Sequence, residues 1–257
     1  MLKKLQLKTD NDGNKIYKFT NPSRFNDNNN GEIQYEYTKA SFEFAHAMSF
    51  TGEGHHRSTR SGGSTIRNKV NVFCDTLLGK LGEFAVYQYF RQHDLDIDYP
   101  DLNIMGEGLW DSYDFVYKGR KIGVKTTKSF GNLLLLETKD WNQDAQYIPN
   151  INSGDADYDD MLFVRVTSDI IEKLKQRMLS GEIGINILQE EFRDCNYKFD
   201  IFHVPISLVR LAIENQLIIN KGDLLQTVYT KMDAPNYYIQ SGDMRNISSY
   251  INELKLI

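Results

Sequence analysis

Apolar positions along this chain recur with two different periods. From residue 65 to 90 the stretch "TIRNKVNVFCDTLLGKLGEFAVYQYF" spaces Ile66, Val70, Phe73, Leu77, Leu81, Phe84 and Ala85 three or four apart, which predicts a helix with one apolar face. An earlier apolar segment, "EYTKASFEFAHAMSF", predicts another helix after an irregular or short-stranded start. Short β-rich runs predict strands at 113–117, 121–126, 133–138, 161–166 and 199–204, with helices at 169–178 and 206–215. The tail adds a short strand at "YYI" and a last helix near Ser248. This order predicts an α/β fold: a mixed central sheet flanked by helices, with N-terminal and C-terminal elaborations. It reads as a single domain over 1–257, with a cap at 1–60, a core at 66–215 and a C-terminal extension at 216–257. The polar stretch 142–160 predicts a long loop, and "NDNNN" at 26–30 an exposed turn.

At 257 residues and 40% hydrophobic content the chain can bury a substantial core. No apolar run has the length of a membrane span, and "MLKKLQLKTDNDGNK" lacks the apolar stretch of a secretion signal, so a cytoplasmic location is expected. Cys74 and Cys195 are too few for a disulfide framework, in keeping with a reducing compartment. The net charge of -5 requires that a polyanionic partner be met by a local patch. The segment "RSTRSGGSTIRNKV" offers one: Arg57, Arg60, Arg67 and Lys69 with no acid among them. It is either a phosphate-binding segment or a solvated loop.

Charges inside a strand pair carry the chemical signal. In "SYDFVYKGRKIGVKTTK" the two residues Lys118 and Gly119 predict a two-residue hairpin loop that pairs Tyr117 with Arg120, Phe115 with Ile122 and Asp114 with Gly123. Alternation then sends Tyr113, Phe115, Tyr117, Ile122 and Val124 to an apolar face, and Asp114 and Lys125 to the other as diagonal neighbours, roughly 7 Å apart at the backbone. A second acid is needed to hold a cation such as Mg²⁺. Glu83 in "GKLGEF" is the best candidate, because Gly79 and Gly82 beside it weaken a helix by about 1 kcal/mol each and suggest a close approach to the sheet or a ligand.

An aspartate on one strand, a lysine on the next and a glutamate on the preceding helix resemble the PD-(D/E)xK nuclease superfamily, especially type II restriction endonucleases. The matching residues are Asp114 and "GVK", 123–125, within a stretch from about residue 79 to 138. Gly123 stands where the family motif has its second acid, a role Glu83 would fill. The resemblance implies a restriction-endonuclease-like core of helix, three antiparallel strands, helix and a parallel strand, with "NLLLLET" and "MLFVRVT" as third and fourth strands. It implies an endodeoxyribonuclease in which Asp114, Glu83 and the Val124 carbonyl hold Mg²⁺, Lys125 orients the attacking water, and Lys121 and Lys128 meet phosphates. Double-stranded DNA, a homodimer and a cognate methyltransferase are the implied partners. A structure-specific repair or recombination nuclease and a non-cleaving nucleic-acid-binding relative are the alternatives. His46, His55, His56, His93 and His203 form no recognisable metal or base motif, and no GxxxxGK[ST] or GxGxxG stretch occurs. Glu137 ranks below Glu83 as an acid, and Trp141 reads as packing.

Overall fold

The computed structural model describes residues 1–25, 31–51, 68–103, 113–167, 169–181, 186, 190, 192, 195–225 and 230–257. The polar turn at 26–30, Ile66, the histidines 55 and 56, and Arg57, Arg60 and Arg67 lie outside them. Helices and strands alternate in one mixed α/β arrangement. In chain order they are β1 (Gln6–Thr9), β2 (Lys15–Lys18), α1 (Tyr35–Phe50), α2 (Lys69–Gln92), β3 (Phe115–Tyr117), β4 (Arg120–Lys128), β5 (Leu133–Glu137) and β6 (Asp160–Val166). There follow α3 (Asp169–Leu179), β7 (Phe199–Pro205), α4 (Ile206–Glu214), β8 (Ile218–Ile219), β9 (Leu224–Leu225), β10 (Thr230–Lys231), β11 (Asn236–Gln240), β12 (Arg245–Asn246) and α5 (Ile247–Lys255). Helix α2 starts at Lys69 because the Asn68 side chain caps it, accepting from the Asn71 N–H at 2.8 Å.

The main sheet has the order β12-β7-β6-β4-β3. Its hairpin has the predicted register, Phe115 with Ile122 and Tyr117 with Arg120, and the two loop residues carry the positive φ of a twisted hairpin turn, 46° at Lys118 and 83° at Gly119. One expectation fails. "NLLLLET" forms β5, but β5 pairs with β11 in a separate sheet of order β5-β11-β8. A strand has two edges, and those of β4 are taken by β3 and by β6, which runs parallel to it from Ile122↔Asp160 to Lys128↔Val166. The crossover from β4 to β6 therefore runs through β5 and two 3₁₀ turns, Thr138–Asp140 and Ile148–Ser153, where the family pattern has a helix.

Strand β6 is buried along its whole length and separates two cores. Leu162, Val164 and Val166 pack with Ile122, Val124 and the helices α1, α2 and α5, whereas Met161 and Phe163 pack with Leu134, Val204, Val209 and Ile239. The terminal segments belong to these cores: α1 lies on α2, and β12 and α5 complete the far side of the main sheet. Helix α2 approaches β4 closely at Gly82, where an added Cβ would lie 1.8 Å from the Thr126 hydroxyl oxygen. Gly82→Ala is accordingly expected to cost about 1–3 kcal/mol by overpacking, read as a lower urea midpoint, and Thr126→Ala in the same chain should recover most of the loss.

Two buried charge clusters pin the sheet. Arg165 of β6 forms a bidentate pair with Asp200 of β7, Nε to Oδ1 at 2.8 Å and Nη2 to Oδ2 at 2.5 Å. Its other N–H groups donate to the carbonyls of Ser23 and Arg24 at 2.8 and 3.2 Å, tying the N-terminal segment to the sheet. At the other end, Asp160 accepts from His203 Nε2 at 2.6 Å, the Tyr250 hydroxyl at 2.8 Å and Arg120 at 2.6 and 2.8 Å. Burial works to raise the Asp160 carboxyl, and the hydrogen bonds from His203, Tyr250 and Arg120 outweigh it, holding the group below its ordinary value. A depressed folded-state value makes this carboxylate stabilising above the ordinary carboxylate range. That contribution is lost as pH falls below about 4 and through the lowered value. Urea midpoints measured from pH 7 down to pH 3 should show the wild type losing stability faster than Asp160→Asn, whose side chain does not titrate.

Candidate active site

The site forms where β3 ends and β4 continues alone. Within a strand, the N–H and C=O of one residue point to the same edge and alternate residues use opposite edges. Lys121 bonds toward β6, since its carbonyl accepts from Asp159 N–H at 2.9 Å, so Ile122 and Val124 face the β3 edge. Beyond Phe115 that edge has no ladder partner from β3. The Asp114 N–H donates to the Ile122 carbonyl at 3.1 Å, and its carboxylate Oδ2 accepts the Val124 N–H at 2.6 Å. A carboxylate thus stands where a further strand residue would be. This corrects the predicted cross-strand placing of Asp114 opposite Gly123: the chain bulges, and the side chain lies at the sheet edge. The Val124 carbonyl opens onto the same edge.

Groups from both faces of the sheet reach this edge. Ile122, Val124 and Thr126 face α2, whereas Gly123 and Lys125 face the second core, with Gly123 beside Met161. Desolvation by the surrounding protein raises the Asp114 carboxyl above its ordinary value, and Lys125, the Val124 N–H and Lys80 act against it. Asp114 is nevertheless exposed, so water reaches it and moderates that desolvation. Glu83 on α2 pairs with Lys80 at 2.6 Å, both side chains being largely buried. The Lys80 ammonium also donates to the Asp101 carbonyl at 2.7 Å and lies 4.8 Å above the Phe44 ring. Lys80 therefore links the helix acid to the strand acid electrostatically. Sequence reasoning missed it, although its spacing of three from Glu83 on a helix is a pairing signal.

Gly123 is occupied from above. A Cβ there would meet the Tyr158 ring at 2.9 and 3.1 Å, so the position that carries an acid in the family motif is covered by an aromatic edge. Tyr158 packs with Trp141 and Tyr147 at centroid distances of 6.0 and 6.4 Å, which makes Trp141 a packing residue as expected. Of the residues expected to meet phosphates, Lys69 is exposed at the first turn of α2. Lys121 pairs with Asp155 at 3.0 Å, and Lys128 pairs with Glu172, so both charges are partly matched by acids of this chain. Glu137 lies on β5 in the second sheet, opposite Asn236, with Lys139 at 3.8 Å.

The oxygen donors at the edge are the Asp114 carboxylate and the Val124 carbonyl, while the Glu83 carboxylate is held on α2 by Lys80, whose charge also acts on Asp114. An all-oxygen set of this kind suits a hard cation such as Mg²⁺, which also keeps several waters. Among the described residues no three His, Cys, Asp or Glu side chains gather as a metal site. Compared with known proteins, the chain matches no family model, no curated protein and no solved structure.

Proposed function

We propose that this chain is a Mg²⁺-dependent endodeoxyribonuclease of the PD-(D/E)xK type, a type II restriction enzyme acting as a homodimer on short specific sites in cytoplasmic double-stranded DNA. A cognate methyltransferase would protect the host sites. The observation that carries this reading is the open β4 edge, where the exposed Asp114 carboxylate is fixed by the Val124 N–H and flanked by Lys125. A restriction-endonuclease-like core accounts for the helix–hairpin–parallel-strand order of α2, β3, β4 and β6. No helix among the described residues is long and apolar enough to cross a membrane.

In this mechanism Asp114, the Val124 carbonyl and Glu83 are the residues that would hold the cation. A bound Mg²⁺ supplies Lewis-acid activation, lowering the pKa of an attacking water. The Lys125 ammonium would orient that water and offset charge on the phosphoryl oxygens as the water oxygen bonds to phosphorus and the bond from phosphorus to one sugar oxygen breaks, that oxygen leaving as a hydroxyl with a proton from solvent. The Val124 N–H would keep the Asp114 carboxylate in place for this role. Lys80 restrains Glu83 against α2, and the exposed Lys69 addresses a neighbouring phosphate.

A second reading has its own observation. Glu83 is held by Lys80 and Gly123 is covered by Tyr158, an arrangement that favours a relative that binds nucleic acid without cutting it. Incubation with supercoiled plasmid in Mg²⁺ separates the readings. Discrete fragments that vanish in EDTA support the restriction enzyme, cuts confined to branched or flapped DNA support a repair nuclease, and a gel shift without cutting supports the binding relative.

A further inference from the structure

Taking the β4 edge as a phosphodiester site, we infer that the hydroxyl of Tyr158 is a substrate contact there, donating a hydrogen bond to a non-bridging oxygen of the phosphate that Lys125 also meets. Three observations place it. The ring lies on the bare Cα of Gly123, and a residue two positions along a strand presents its side chain on the same face roughly 7 Å away, so Lys125 is its neighbour. The backbone beside the ring is clamped: Asp159 N–H donates to the Lys121 carbonyl at 2.9 Å, Asp159 Oδ2 accepts the Lys121 N–H at 2.8 Å, and the Asp159 carbonyl accepts the Ile206 N–H at 3.1 Å. Trp141 and Tyr147 flank the ring. A phenol held this firmly has a hydroxyl in a fixed place, yet among the described residues that hydroxyl makes no hydrogen bond.

Its protonation state suits a donor. Desolvation and then the charge of Asp114 raise the phenol well above its ordinary value, so the proton stays on at every working pH. A phenol that keeps its proton cannot act as a general base. It can bind a phosphoryl oxygen, and no bond is made or broken at Tyr158. The absence of a side chain at residue 123 is what admits the ring, so a neutral donor occupies the space that an acid on β4 would need.

Tyr158→Phe removes the hydroxyl and keeps the ring, so an unchanged melting temperature is expected. Cleavage of supercoiled plasmid in Mg²⁺ should fall about tenfold or more, the loss of a hydrogen bond to a charged group. In protein labelled with 3-fluorotyrosine, the ¹⁹F resonance absent from Tyr158→Phe should move when a short duplex is added in EDTA. A Phe variant that cuts as fast as the wild type, or a resonance that stays in place, overturns the assignment. If the wild type fails to cut while the resonance moves, hydrolysis is disproved and the contact stands. If it neither cuts nor moves the resonance, both fall.

Discussion

Lys125→Ala is expected to lower the rate of plasmid cleavage in Mg²⁺ by about a thousandfold while leaving the folded structure intact. The size follows from the place of the ammonium. Lys125 is exposed on β4 and is the first of the positive groups acting on Asp114, so in the proposed mechanism its ammonium would face the negative charge that develops on the phosphoryl oxygens. Its removal takes nothing from either core, because its side chain is exposed. Melting temperature and circular dichroism should therefore match the wild type. A variant that keeps more than a tenth of the wild-type rate would exclude Lys125 from the chemistry, and Lys125→Arg separates charge from shape, since a guanidinium keeps the charge in a broader, planar group.

The largest effect on stability is expected from Arg165. Truncation to alanine leaves the Asp200 carboxylate in the core without its bidentate partner and frees the carbonyls of Ser23 and Arg24. Breaking a buried pair by removing one member costs about 3–5 kcal/mol, and in a domain of this size the melting temperature should fall by roughly 10 °C. Replacing both members, Arg165→Met with Asp200→Leu, should restore much of the loss, because apolar side chains of similar volume tolerate this environment better than one unmatched charge. Limited proteolysis adds a local readout. In Arg165→Ala the segment around residues 23–25 should be cut sooner, since its tie to β6 is gone. If the double replacement is as unstable as the single one, the unmatched carboxylate is not the cause.

The parts of this account that the sequence made legible are those with local causes. Alternation and the Lys118-Gly119 pair sufficed for the hairpin, and the glycines of "GKLGEF" announced the contact of α2 with β4 that Gly82 makes against Thr126. Non-local partners were not legible. An apolar run such as 133–137 looks the same whichever sheet it joins, and only the capture of the second β4 edge by β6 excludes β5 from the main sheet. Nothing local couples Tyr158 to Gly123, which lie 35 residues apart in sequence and meet only because the chain returns over β4 after the second 3₁₀ turn. The bulge at Asp114 likewise depends on its carboxylate finding the Val124 N–H, a choice that a pairing rule cannot anticipate. A better signal went unread elsewhere. Arg165 within "MLFVRVT" and Asp200 within "KFDIFHV" are charges inside otherwise apolar strands, and such residues are almost never buried unless paired.

Asp114 is the group on which the proposed chemistry turns, and cleavage of supercoiled plasmid by Asp114→Asn beside the wild type measures its role most directly. Asparagine keeps the shape and a hydrogen-bond acceptor for the Val124 N–H but carries no charge for a cation. The wild type should produce fragments in Mg²⁺ and none in EDTA, and the folded variant should produce none in either. Equal cutting by both proteins, or intact plasmid with a correctly folded wild type in Mg²⁺, would contradict a metal-dependent nuclease at this edge.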